Sequence, residues 1–128
     1  MPTFKFSKLV RDKIVDNQLA SGAKPTYRQL DKDEHKQQLL VKLIEESQEI
    51  KHADAQEVVD ELADVQQIID DLRDLYGVSA PDLRAAQERK NHKNGAFQQG
   101  IYIESVEVDE SSPWSKYYRQ HPDCYPEL

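Results

Sequence analysis

Cysteine is nearly absent. Cys124 is the only one in 128 residues, so no intrachain disulfide can form and no cysteine-based zinc site can be assembled. Long hydrophobic runs are missing too. No stretch approaches the roughly 18 apolar residues needed to span a bilayer, and the opening MPTFKFSKLVRDKIVDN lacks the continuous apolar core of a signal peptide. These absences predict a cytoplasmic protein with no membrane partner. Basic charge is in deficit: 17 Lys and Arg stand against 24 Asp and Glu, a net charge of −7. That balance excludes the broad basic face on which duplex nucleic acid is bound. Spaced histidines are also lacking, since His35, His52, His92 and His121 share no metal-ligand interval.

What remains is a chain that is 38% hydrophobic and 32% charged, a balance that favours helices around an economical core. The length fits one domain, 1–128. Ser7 is read as the N-cap of a first helix through KLVRDKIVDNQLAS, stopped by Gly22. TYRQL then alternates as a short strand, and Asp31 or Asp33 caps a long helix running to about Ala53. A second long helix is expected from about Gln56 to Tyr76, with Gly77 as its stop and an apolar stripe of Val58, Leu62, Val65, Ile68, Ile69, Leu72 and Leu75. The short turn between the two makes them antiparallel neighbours. PDLRAAQERKNHK is a further helix opened by Pro81 and closed by Asn94-Gly95. IYIESVEV reads as a strand able to pair with TYRQL. Residues 109–128, with Trp114, three tyrosines and three prolines, read as an extended arm. The expected fold is mainly α: an antiparallel helical bundle with a small β-ribbon and an extended C-terminal arm.

One feature of the long helices resists a purely structural reading. At about 100° per residue, Leu39, Leu43 and Ile50 fall within roughly 60° of Glu46, and Glu49 lies about 60° to its other side. The next helix repeats the anomaly, with Glu61 among Val65, Ile68, Leu72 and Leu75, and Asp64 about 60° away. Desolvating an unpaired carboxylate costs several kcal/mol. An ExxE or ExxD motif in so charged a chain is most often a solvated flank paired with Lys or Arg. Two such motifs that each interrupt an apolar stripe on adjacent helices fit a shared cation better. All-oxygen ligation favours Mg²⁺, or Mn²⁺, over zinc. Glu45, about 40° beyond Glu49, is a further ligand or the acceptor of a proton from water. Glu57 and Asp60 form a rival i, i+3 pair on the second helix.

EESQE at 45–49 followed by ELAD at 61–64 resembles the EExxE…ExxD signature of the all-α nucleoside triphosphate pyrophosphatases, the MazG-like superfamily. KLVRDKI at 8–14 and ERKNHKNGAFQQGIYIESV at 88–106 are similar to segments of its phosphoribosyl-ATP pyrophosphohydrolase-like, house-cleaning branch. The resemblance spans about Lys8 to Val108. It implies hydrolysis of a nucleoside triphosphate between its α and β phosphates, with Glu46, Glu49, Glu61 and Asp64 as metal ligands. The expected substrate is a non-standard or surplus nucleoside triphosphate, with phosphoribosyl-ATP as the alternative. A non-catalytic helical interaction or nucleotide-sensing module is the alternative outside enzymology.

Phosphates also need donors from the chain. Arg89, Lys90 and Lys93 make a small cationic face at i, i+3 and i, i+4 spacing, and Arg11 and Lys13 a second. A lone Lys or Arg is usually a solvated surface charge, and the resemblance at both segments raises Arg11, Lys90 and Lys93 as phosphate-binding candidates. Cys124 lacks any setting that would activate a nucleophile. Trp114 could stack on a base, although packing within the tail is the commoner role for such a residue. Few apolar residues and exposed faces on long helices further predict a homo-oligomer, a dimer or a tetramer.

Overall fold

The computed structural model describes residues 1–128 and contains five α-helices and no strand. It divides into two compact units, Met1–Lys90 and Asn91–Leu128. No helix is long and apolar enough to cross a membrane.

The first unit is organised by an antiparallel hairpin of α2 (Lys32–His52) and α3 (Glu57–Leu75), the only two helices packed along one another. Asp31, in extended backbone, starts α2 by accepting the Glu34 amide at 2.9 Å. Between the helices, Asp54 accepts the amides of Gln56 and Glu57 at 2.9 and 2.8 Å. One carboxylate thereby satisfies two donors that the start of α3 would otherwise leave open. The loss of a proton from Asp54 is favoured accordingly, and its pKa lies below the usual carboxylate value. Gly77, at φ +69°, turns the chain out of α3 in the left-handed region where a side chain is disfavoured.

The core of the hairpin is thin. Leu39 of α2 and Ile68 of α3 are its only buried apolar residues. Leu40 and Ile44 of α2 and Leu62 of α3 remain 46, 64 and 55% exposed. Leu62 thus departs from the expected stripe. A wheel at about 100° per residue puts these three on one flank of the hairpin, and none of them lines the cleft on the other side. That cleft separates the hairpin from α1 (Ile14–Ala20) and the segment leading into it. The fourth helix, α4 (Ala80–Asn94), buries no residue and passes from the first unit into the second.

Three expectations are corrected. The β-ribbon is absent: TYRQL and IYIESVEV lie in different units and neither forms a strand. Alternation supplies a strand with one apolar face, but an isolated pair of strands is marginal without a third strand or a helix to cover it. Ile101 and Ile103 are accordingly 76 and 75% exposed. The first helix is also shorter than its pattern. Ser7 sits at φ +48° rather than in the extended backbone of an N-cap, and α1 begins only at Ile14.

The C-terminal arm is the third correction, because it is not extended throughout. Within the second unit, α5 (Pro113–Gln120) is capped by Ser112 Oγ, which accepts the Trp114 amide at 3.2 Å, with Pro113 in the first turn. The rings of Trp114 and Tyr118, one turn apart, stack at 5.9 Å. Arg119 donates to both Glu110 and Glu127, which ties the helix to the chain on either side.

Removing the Asp54 carboxylate leaves two amides at the start of α3 without their acceptor. Asp54→Ala should cost about 1 kcal/mol of stability, read as a lower urea midpoint with an unchanged denaturant slope.

Candidate metal centre

Glu46 lies seven residues after the buried Leu39, and Glu61 seven before the buried Ile68. Seven residues are two turns less about 20°, so each carboxylate occupies the bearing of a core residue. Antiparallel packing makes those bearings face each other. Oxygens of Glu46, Glu61 and Asp64 approach within 4.8 Å of one another, which is a spacing suited to one cation. Glu46 Oε2 and Glu61 Oε2 are both shielded from solvent and meet no hydrogen-bond donor. A buried carboxylate oxygen without a donor is costly, and a hard divalent ion with oxygen ligands satisfies two at once. The donor set therefore fits Mg²⁺ or Mn²⁺.

Protonation reports the same crowding. The Glu61 carboxyl is held above its ordinary pKa by the Glu46 carboxyl at hydrogen-bonding range and by loss of water. Glu49 is raised as well, first through its contact with Glu61 and then through burial and the charges of Asp64 and Glu45. Glu49 thus touches Glu61 but stands on the outer, exposed side of the group, outside the trio that converges most closely.

The other predicted residues are placed unequally. An Arg11 Nη2–H donates to Asp64 Oδ1, an ion pair on the N-terminal side of the cleft. Glu45 is partly exposed, with its carboxylate 3.8 Å from Lys42 Nζ. Glu57 and Asp60 are exposed and take no part in the trio. Lys90 and Lys93 project from the exposed last turns of α4, and Lys90 does not line the cleft.

The cleft itself, of about 690 Å³, opens beside the carboxylates and includes Glu46 and Asp64 in its wall. Lys42 and His35 extend the same wall along α2, and Gln67 and Asp71 extend it along α3. Sequence reasoning assigned none of these four to a site. Their signal was present as spacing: His35, Leu39, Lys42 and Glu46 follow at intervals of four, three and four, and Asp64, Gln67 and Asp71 at three and four, each a single helical face.

A group whose folded pKa is raised binds its proton more tightly in the folded state, so its stabilising share is present below the unfolded value and lost as pH rises through the folded one. For Glu49 and Glu61 the window opens at the ordinary value of 4.5 and extends upward. The metal-free protein should therefore melt at a higher temperature near pH ~5 than near pH ~7. Glu61→Gln should flatten that difference in a thermal scan.

Comparison with models of known families, with curated proteins and with solved structures returned no match.

Proposed function

We propose that the protein is a cytoplasmic, divalent-metal-dependent nucleotide pyrophosphohydrolase that cleaves a nucleoside triphosphate into a monophosphate and pyrophosphate. The observation that carries this reading is the meeting of Glu46, Glu61 and Asp64 at the edge of a cleft, with two buried oxygens that no protein donor satisfies. The motif resemblance described above supports the choice of reaction.

Glu46, Glu61 and Asp64 would hold the metal, with Glu49 next to Glu61 as the fourth carboxylate. When bound, Mg²⁺ or Mn²⁺ supplies acidification of a water and counter-charge for the phosphates. Glu45, one residue from the trio and pinned only loosely by Lys42, is positioned to take a proton. Arg11 neutralises Asp64 in the metal-free protein. If a cation were held by that carboxylate, the Arg11 guanidinium would be free to donate to a phosphate, for which its planar fork is well suited. Arg11 would thereby have two successive partners of like charge, Asp64 and then substrate. Lys90 and Lys93 remain phosphate-binding candidates of lower rank, since they lie on a helix that contributes nothing to the cleft wall.

The exposed flank formed by Leu40, Ile44 and Leu62 supports a homo-oligomer in which a second hairpin covers the first. Two helix pairs joined in that way complete a four-helix core, a common solution for a two-helix layer with an unpartnered face.

Three measurements test the reading. Pyrophosphate release from a panel of nucleoside triphosphates should require Mg²⁺ or Mn²⁺ and should be abolished by Asp64→Asn. Glu45→Gln should lower kcat while the metal-induced rise in melting temperature persists. Glu46→Gln should lose most of that thermal response. A parent-like rate in all three variants would reduce the carboxylates to surface charges and leave the interaction-module reading in place. In sedimentation, a dimer or tetramer is expected, and Ile44→Glu combined with Leu62→Glu should shift it toward monomer of about 15 kDa.

A further inference from the structure

The cleft beside the carboxylates is chemically divided along its length. One end carries Glu46, Asp64, Arg11 and Lys42. Its middle is apolar, walled by Leu39 and Ile68 of the hairpin and by Val10 and Ile14 on the side of α1. The other end is polar again. On α3, Asp71 lies seven residues beyond Asp64, about 10 Å farther along the axis. His35 lies eleven residues before Glu46 on the antiparallel α2, and so at the same end. Asn17, Gln18 and Ser21 of the α1 side line this cleft as well.

A charged end, an apolar waist and a hydrogen-bonding end follow the order of phosphate, sugar and base in a nucleotide. The volume, about 690 Å³, lies within the range of small-molecule sites, about 300–1,000 Å³. Leu39, Ile68 and Ile14 line the cleft with apolar surface suited to the face of a ring.

The edge chemistry is restrictive. Asp71 is half-buried, and its one hydrogen-bond partner in the chain is Gln67, whose Nε2 donates to Asp71 Oδ1 at 3.1 Å. That bond orients the carboxylate and uses one of the two Gln67 N–H donors. What Asp71 itself still presents is acceptors, its remaining lone pairs, while Gln67 keeps its carbonyl and one N–H. A base edge that meets the carboxylate must bring N–H groups. Adenine and cytosine each place a ring acceptor beside their amino group, and uracil flanks its single N–H with two carbonyls. Guanine alone among the common bases sets a ring N–H next to an amino group, two parallel donors that match the two oxygens of a carboxylate.

Building on the nucleotide reading above, we propose that the end of the cleft formed by Asp71 and Gln67 is a base-recognition site selective for a guanine-type edge. Asp71 accepts from the ring N–H and the 2-amino group, and Gln67 holds Asp71 in the orientation that allows it. Asn17 and Gln18 line the same cleft, and their amides carry donors suited to the acceptor side of a base. Discrimination against bases that lack the paired donors follows because they would leave the carboxylate desolvated and unpaired.

The test separates base recognition from hydrolysis. Guanosine and inosine differ only in the 2-amino group and carry no phosphate, so their binding does not depend on a metal. Chemical-shift titration of the whole protein in metal-free buffer should give guanosine at least ~10-fold tighter binding than inosine or adenosine, about the worth of one hydrogen bond to a charged group. The shifts should be concentrated on Asn17, Gln18, Gln67 and Asp71. Asp71→Asn should erase the difference between guanosine and inosine, and Gln67→Leu should reduce it, with both variants checked for a parent-like melting profile. Equal binding of the three nucleosides by the parent protein would overturn the proposal, as would a preference that survives Asp71→Asn. Pyrophosphate release from GTP, ITP and ATP with Mg²⁺ is then read independently. Equal hydrolysis of all three, with no nucleoside preference, sinks base recognition and keeps the pyrophosphohydrolase. Selective guanosine binding without any hydrolysis keeps the base site and sinks the reaction.

Discussion

Carboxylates placed on core bearings set the terms for the rest of the first unit. Glu46 and Glu61 stand two turns from the buried Leu39 and Ile68, where packing would be served better by leucine. Two consequences follow from Coulomb's law and desolvation. Facing carboxyls without donors on their inner oxygens raise the proton affinity of Glu61 and, beside it, Glu49. The same crowding gives the end of the hairpin an affinity for positive charge, which Arg11 meets in part by pairing with Asp64. A stretch of helix that weakens the core is thus the stretch that organises charge around it.

The hairpin geometry turns this local stress into a site. The four-residue link between α2 and α3 is closed by Asp54, and its brevity keeps the helices antiparallel and in one register. With that register Glu46 meets Glu61 and Asp64, whereas Glu57 and Asp60 fall outside the group. Because α1 stands off from the hairpin, the polar flank borders a cleft rather than bulk solvent, and Lys42, Gln67 and Asp71 share its wall with the carboxylates. The opposite flank, with Leu40, Ile44 and Leu62 exposed, has no comparable cover within the chain. A small core can be stable in isolation, but two buried apolar residues leave little margin against the conformational entropy of about fifty ordered residues. An apolar flank and a thin core are therefore two expressions of the same shortage of buried surface.

The second unit rests on different physics. Its apolar segment around Ile101 and Ile103 stays exposed, and its order comes from α5, where aromatic rings one turn apart stack and Arg119 reaches two glutamates. Such ion pairs lie in solvent and are individually weak. Stacked rings and a well-formed cap are the stronger contributors here.

The long helices were legible in the sequence because their determinants are local. Periodicity at 3.6 residues, a capping aspartate at Asp31 and a left-handed glycine at Gly77 act within a turn or two of the residues they order. The misplaced carboxylates could be read for the same reason, since a helix fixes the bearing of Glu46 relative to Leu39 without reference to anything else. Strands are different: the alternation in TYRQL and IYIESVEV specifies a face but not a partner, and hydrogen bonding across a ladder requires one. Likewise the short α5 was hidden in a tail whose aromatic and proline content reads as an extended arm, although Pro113 lies in the first turn, where its missing amide costs nothing. Sequence determined which side chains share a helical face and that two of those faces carry charge against the core. Only the tertiary structure decided which carboxylates meet, that Arg11 joins them from 53 residues away, and that Gln67 and Asp71 border a common cleft, because those distances depend on how the hairpin closes and not on any spacing along the chain.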